Sequence, residues 1–109
     1  MKRINAAILC LILVAGLAEK AAAADDHNPA LLDTKGWVYY RAERPADALP
    51  VLQGAVDLAP REAILHYHLG KILLALNRTN DAREVLRKAL ALTLPPTEQR
   101  DAENLLAAP

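Results

Sequence analysis

A chain of 109 residues is long enough for one small domain, and its 53% hydrophobic residues include no phenylalanine, so the core must be largely aliphatic. Thirteen basic and thirteen acidic residues give a net charge of zero, which removes the electrostatic basis for nucleic-acid binding. The single Cys10 excludes an internal disulfide and a CxxC site. The abundance of Ala and Leu, the strongest helix formers, predicts an all-α protein.

The first 24 residues have the composition of a secretory signal peptide. Lys2 and Arg3 form a basic start, an apolar run extends over residues 4–18, and small residues at 22–24 fit an A-x-A cleavage pattern. Cleavage after Ala18 and cleavage after Ala24 both fit the pattern. The apolar run is shorter than the roughly 20 residues that span a bilayer. We therefore expect a periplasmic or secreted protein, with an uncleaved inner-membrane anchor as the alternative.

Residues 25–28, "DDHN", follow as a polar linker. Their carboxylates and imidazole also admit a metal-binding interpretation, but the position beside a cleavage site favours a solvated linker. Asn28 and Pro29 are good N-cap and first-turn residues, and they predict the start of the first helix. Pro50 falls inside the second predicted helix, near its start, where we expect a bent or loosened turn and no break. The helices are predicted at residues 29–42, 46–59, 61–76, 80–93 and 97–107.

The segment from 29 to 60 repeats itself 34 residues later. Nine of its positions carry the identical residue in both copies, among them Gly36 and Gly70, Leu52 and Leu86. A period of 34 with one helix–turn–helix per unit is the signature of the tetratricopeptide repeat. The stretch "LLDTKGWVYYRAERPADALPVLQGAVDLAP" resembles one full unit of that family, and "ILHYHLGKILLALNRTNDAREVLRKALAL" resembles the next. The residues that match the family pattern are Gly36, Tyr39, Ala48, Ala55 and Pro60 in the first unit, and Leu69, Gly70, Ala82 and Ala89 in the second.

The resemblance implies a tetratricopeptide domain over residues 29–108, with units at about 29–62 and 63–94 and a capping helix at 97–107. It also implies a protein or peptide partner, held in the groove that the first helices of the units line. The residues at groove positions are Asp33, Trp37, Tyr40, Arg41, Tyr67 and Lys71. Asp33 and Trp37 replace the basic and amide residues with which some family members clamp an acidic C-terminal tail, which argues against that ligand.

Three residues depart from the family pattern. Lys35 stands at a usually apolar position, Glu43 replaces the glycine of the turn between the two helices, and Pro45 replaces an aromatic residue. We therefore expect the first unit to be the less stable one. Lys35 either extends its ammonium group past its neighbours to water or marks a face that no preceding helix covers.

Two units are fewer than the three that such arrays usually need for stability. The alternative to a binding module is therefore a remnant of a longer array, stable only through self-association and without a recognition role. The combination of "LDT-GW", "YHLG" and "AR-VL-KAL" also resembles the last repeats of long bacterial tetratricopeptide proteins, including those of exopolysaccharide and exosortase systems.

The two histidines of "HYH" do not form a metal pair. On a helix, His66 and His68 point about 200° apart, whereas paired ligands occupy positions i and i+4. We expect His66 to lie partly in the core and His68 on the surface. No serine elbow, phosphate loop or partnered cysteine nucleophile is visible in the sequence, so we expect neither an enzyme nor a cofactor or metal.

Overall fold

The computed structural model describes residues 27–108, which form five α-helices and no strand. None of these helices has the length and apolarity to span a bilayer. The segment 1–24, with Cys10 and both possible cleavage sites, lies outside the described residues, as do Asp25 and Asp26 of the linker. The helices are α1 (Pro29–Arg41), α2 (Pro45–Leu58), α3 (Ala63–Ala75), α4 (Thr79–Ala91) and α5 (Pro96–Ala107).

The helix boundaries follow local chemistry, and each prediction from the sequence is correct to within two residues. The side chain of Asn28 accepts hydrogen bonds from the backbone N–H groups of Ala30 at 2.9 Å and Leu31 at 3.3 Å, which satisfies the first turn of α1. Helix α2 continues through Pro50 without a break, as predicted. Pro50 leaves the carbonyl of Ala46 without its helical partner, but Ala46 is exposed and water can bind there.

The turns between α1 and α2 and between α3 and α4 have the same hydrogen-bonded geometry. Each contains one residue in the left-handed region, Glu43 at φ 62° and Asn77 at φ 61°. The N–H of the following arginine bonds to a carbonyl five residues earlier, from Arg44 to Tyr39 and from Arg78 to Leu73, both at 2.9 Å. These bonds satisfy carbonyls that the ends of α1 and α3 would otherwise leave without partners.

Each helix pair is joined by a close crossing at a glycine. A Cβ atom on Gly36 would collide with the side chain of Leu52, and one on Gly70 would lie 2.6 Å from Cδ2 of Leu86. Leu52 and Leu86 are almost fully buried, so a larger side chain at either glycine would hold the helices apart. The pairs α1–α2 and α3–α4 are therefore equivalent units, which we call repeat 1 and repeat 2.

The two repeats stack in chain order. Helix α3 packs against α2 and also touches α1, and α5 packs against α4 and also touches α3. Helix α5 buries Ala102 completely and half-buries Leu105 and Leu106. Its last turn is held by Arg83 of α4, which donates to the carbonyls of Leu106 at 2.8 Å and Ala108 at 3.1 Å. The predicted capping helix thus covers the end of repeat 2.

Candidate binding site on the first helices of the repeats

The candidate site lies where α3 contacts both α1 and α5. We call this surface the A-helix face and define it by the side chains that meet on it: Asp33, Trp37 and Tyr40 from α1, Tyr67, His68 and Lys71 from α3, and Asp101 from α5. Five of the six residues at predicted groove positions belong to this set. The sixth, Arg41, is exposed at the C-terminal end of α1.

Three rings form a continuous stack across α1 and α3. The ring of Trp37 lies 4.7 Å from that of Tyr40 and 4.0 Å from that of His68, with interplanar angles of 25° and 24°. Trp37 and Tyr40 are three residues apart on one helix, so their side chains are neighbours on one face. Stacking of this kind limits the rotation of all three side chains.

The prediction that His68 lies on the surface is wrong. Its side chain is only 14% exposed, because its ring packs against Trp37 and its Nδ1 lies 2.6 Å from Oδ1 of Asp33. The carboxylate of Asp33 can only accept, so Nδ1 donates and, in the neutral imidazole, Nε2 is left as an acceptor. Among residues 27–108 the only buried side-chain N or O atom without a partner is Nδ1 of His66, so Nε2 of His68 is accessible to solvent.

A second group of contacts joins α3 to α5. The hydroxyl of Tyr67 donates to Oδ2 of Asp101 at 2.5 Å, and Nζ of Lys71 donates to the same oxygen at 3.1 Å. Burial, together with the hydrogen bond to Asp101, raises the pKa of the Tyr67 phenol. The hydrogen bond from Tyr67, helped by that from Lys71, lowers the pKa of Asp101. The ammonium of Lys71 also lies 5.7 Å from the centre of the Tyr67 ring.

Asp101 was not among the residues predicted from the sequence. It lies 34 residues after Tyr67, which itself lies 34 residues after Asp33, so the repeat period places all three at the same position of successive first helices. Extending the period into the capping helix would have identified Asp101. No comparable signal marks His68, since its contacts depend on how closely α3 approaches α1.

Two cavities are lined in part by residues of α1, one at each end of that helix. A cavity of about 460 Å³ is lined by residues from both ends of the turn between α1 and α2 and from α3: Tyr40, Arg41, Glu43, Pro45 and Ala75. A cavity of about 300 Å³ lies at the opposite end, between the first turns of α1 and α3, with apolar walls and the carboxylates of Asp33 and Glu62 among its lining groups. Arg41 thus belongs to the first cavity and not to the ring stack.

His66 lies in the core, as predicted, with 6% of its surface exposed. Its Nε2 lies 2.7 Å from the carbonyl oxygen of Pro60, and this contact ties the start of α3 to the loop that follows α2.

Within the described part of the chain, no three His, Cys, Asp or Glu side chains are grouped closely enough to hold a metal ion. The A-helix face therefore offers aromatic surface, hydrogen-bonding groups and paired charges, which suit the binding of another molecule.

Comparison with known proteins agrees with the geometry of the two repeats. The sequence profile of the tetratricopeptide repeat matches residues 34–97. This range runs from the middle of α1 to the first turn of α5, and it includes both glycine crossings and both helix–helix turns. A search of curated proteins found no significant match to the chain.

Proposed function

This chain belongs to the tetratricopeptide repeat family, and from that premise we propose that it is a binding module that holds a segment of another protein on its A-helix face. Repeats of this family generally mediate protein–protein interactions, and the fold is typically non-catalytic.

The observation that carries the proposal is the ring stack of Tyr40, Trp37 and His68. Trp37 and Tyr40 are only half-buried, although large aromatic side chains contribute most when they are fully buried. Tryptophan, tyrosine and arginine dominate the energetics of protein interfaces. Because the rings are already held by stacking, a partner that covers them loses less side-chain entropy on binding than it would on free rings.

The test is quantitative capture of bound proteins by the full-length chain and by the variants Trp37→Ala and Tyr40→Ala. We expect each variant to lose most of the proteins bound by the unchanged chain, as measured by mass spectrometry. Leu58→Ala is the matched control. Among residues 27–108, Leu58 is the exposed large hydrophobic residue, with 45% of its surface accessible, and it lies on α2, outside the A-helix face. An unchanged set of bound proteins in both aromatic variants would contradict the proposal.

We also propose that the module works outside the cytoplasm, on the strength of the signal-peptide composition of residues 1–24. The intact mass of the protein from separated bacterial fractions tests this. A periplasmic species that lacks the N-terminal segment is the expected result, and a full-length species in the membrane fraction would favour the anchored alternative. The resemblance to repeats of exopolysaccharide and exosortase systems suggests partners in the bacterial envelope.

One observation favours the alternative that the chain is a remnant of a longer array. Leu31, Leu32 and Val38 on α1 are only half-buried, although residues at the same positions of α3 are buried. Such an apolar surface can be covered by a second copy of the chain. Light scattering distinguishes the two functions: the alternative requires an oligomer, whereas a monomer that unfolds cooperatively supports an independent binding module.

A further inference from the structure

We propose that the cavity between the first turns of α1 and α3 binds an arginine or lysine side chain of the partner segment. This inference rests on the proposed function and assigns a chemical class to one part of the partner. The cavity has about 300 Å³, and its walls are formed chiefly by Pro29, Ala30, Ala59 and Ile64. These apolar side chains suit the aliphatic stem of a basic residue, which commonly packs along hydrophobic surface while its charge reaches a polar group.

The charged groups of the cavity are both acidic. Asp33 and Glu62 line it, and no lysine or arginine of the described residues does. Glu62 is exposed, its carboxylate caps no backbone N–H of α3, and no ion pair within residues 27–108 involves it. The N-termini of α1 and α3 contribute partial positive charges here, and the C-terminus of α2 contributes a partial negative one. Two full negative charges outweigh these partial charges, so the cavity is complementary to a cation.

The carboxylate of Asp33 is already oriented by a neighbouring side chain. Its Oδ1 accepts the hydrogen bond from Nδ1 of His68, and the ring of His68 is fixed by stacking on Trp37. Within the described part of the chain, the carboxylate of Asp33 accepts this one hydrogen bond, and its second oxygen, Oδ2, takes no part in it. A carboxylate that is already oriented loses little entropy when it accepts a charged hydrogen bond, and such bonds are about twice as strong as neutral ones.

The cavity adjoins the ring stack through Asp33, His68 and Trp37. A partner with a basic residue next to an apolar or aromatic one would therefore contact the cavity and the stack together. The same site disfavours an acidic segment, because Asp33 and Glu62 would repel its carboxylates.

The experiment uses the full-length protein labelled with ¹⁵N and two small probes, N-acetyl-arginine amide and its uncharged isostere N-acetyl-citrulline amide. We expect the arginine probe to shift the backbone amide signals of Ala30, Asp33, Glu62 and Ile64 in a saturable way. The citrulline probe should bind at least about ten-fold more weakly, because it lacks the charge. Equal binding of both probes, or no shift at these four amides with the arginine probe, would overturn the proposal.

Three variants sharpen the test. Asp33→Asn and Glu62→Gln remove charge but keep size, and the amide oxygen introduced by Asp33→Asn can still accept from His68, so the fold should persist. Each should weaken the arginine probe about ten-fold. Ala30→Trp fills the cavity without changing charge and should abolish binding. Asp57→Asn on the exposed surface of α2 is the matched control and should leave the affinity unchanged.

The outcome separates this inference from the proposed function. If the chain captures partner proteins through Trp37 but does not bind the arginine probe, only the assignment of the cavity is wrong. If it binds the probe but the Trp37→Ala and Tyr40→Ala variants keep all their partners, the cavity is a cation site and the proposed function of the A-helix face fails.

Discussion

Repeats 1 and 2 share their backbone design but differ in what covers their first helix. In α3, Leu65, Leu69 and Ile72 are at most 5% exposed, and α2 packs against this helix. The residues at the same positions of α1 are Leu31, Lys35 and Val38, all only half-buried. Similar side chains therefore contribute differently to stability, because in a stacked array each unit is completed by its neighbour.

The presence of a lysine at position 35 is consistent with this difference in burial between α1 and α3. It occupies the position of Leu69, and in repeat 2 a lysine there would place a charge among buried side chains of α2 and α3, at a large cost in free energy. On α1 it is half-buried, so its stem can pack while its ammonium group reaches water. The departure from the family pattern is thus tolerated because Lys35 is only half-buried in α1.

The largest expected effect on stability tests the difference in burial between α3 and α1 directly. Ile72→Ala removes a side chain that is completely buried and should lower the free energy of unfolding by about 3 kcal/mol. Its counterpart in repeat 1, Val38→Ala, should cost only about 1 kcal/mol, since Val38 is smaller and only partly buried. Urea unfolding followed by circular dichroism measures both. Equal losses after allowance for the one-methylene difference would mean that α1 is covered as well as α3 is.

The next effect concerns the helix crossing that the repeats share. Gly70→Ala should lower the free energy of unfolding by roughly 2 kcal/mol, because the new Cβ would lie 2.7 Å from Cγ of Leu86 and force that buried side chain to shift. Gly54→Ala on α2 is the control, since its nearest contact would be an ordinary 3.8 Å to Leu32. That variant should be neutral or slightly stabilising, because alanine favours helix. A neutral Gly70→Ala would show that the crossing can widen without cost.

A smaller effect distinguishes the two turns. Glu43→Gly should raise the free energy of unfolding by about 1 kcal/mol, because glutamate at a positive φ is strained and glycine is not. Asn77→Gly, at the same position of repeat 2, should change it by less, since asparagine adopts this conformation readily. Thermal unfolding of the two variants measures the contrast, and a larger gain from Asn77→Gly would reverse the interpretation.

An effect of similar size concerns the hydrogen bond that links repeat 2 to the capping helix α5. Tyr67→Phe removes the hydrogen bond to Asp101 and should cost about 1 kcal/mol near neutral pH. The folded pKa of Asp101 lies below its ordinary value of 3.8, so this stabilisation is present above pH 3.8 and is lost as the pH falls through the folded pKa. The folded pKa of Tyr67 lies above its ordinary value of 10.0. The stabilisation that its hydroxyl contributes is therefore present below pH 10 and is lost as the pH rises through the folded pKa.

The difference in stability between the unchanged protein and Tyr67→Phe should therefore be greatest in the middle of the pH range and shrink at both ends. Chemical unfolding at a series of pH values measures it. Tyr40→Phe, which leaves the bond to Asp101 intact, is the control. A difference that does not vary with pH would show that Tyr67 contributes through packing alone.

Much of the fold was predictable because its signals are local or periodic. Asn28 and Pro29 mark the start of α1 by capping and fixed dihedral angles, and the 34-residue period carries Gly36 onto Gly70 and Leu52 onto Leu86. The left-handed conformation of Glu43 agrees with the family pattern, since this residue stands where the family has glycine. Five of the six residues at predicted groove positions meet on the A-helix face for a similar reason, because a helical repeat fixes which side of the helix a position occupies.

The rest depended on distances between helices, which no local pattern encodes. The sequence by itself determined the all-α class, the helix boundaries and the equivalence of the two repeats, since these follow from propensity, capping and periodicity. Only the tertiary structure decided three contacts between helices. The ring of His68 stacks on Trp37, the same ring donates a hydrogen bond to Asp33 beside the acidic cavity, and Asp101 accepts a hydrogen bond from Tyr67. Such contacts depend on how closely neighbouring helices approach, and that spacing is set by the packing of all their side chains together.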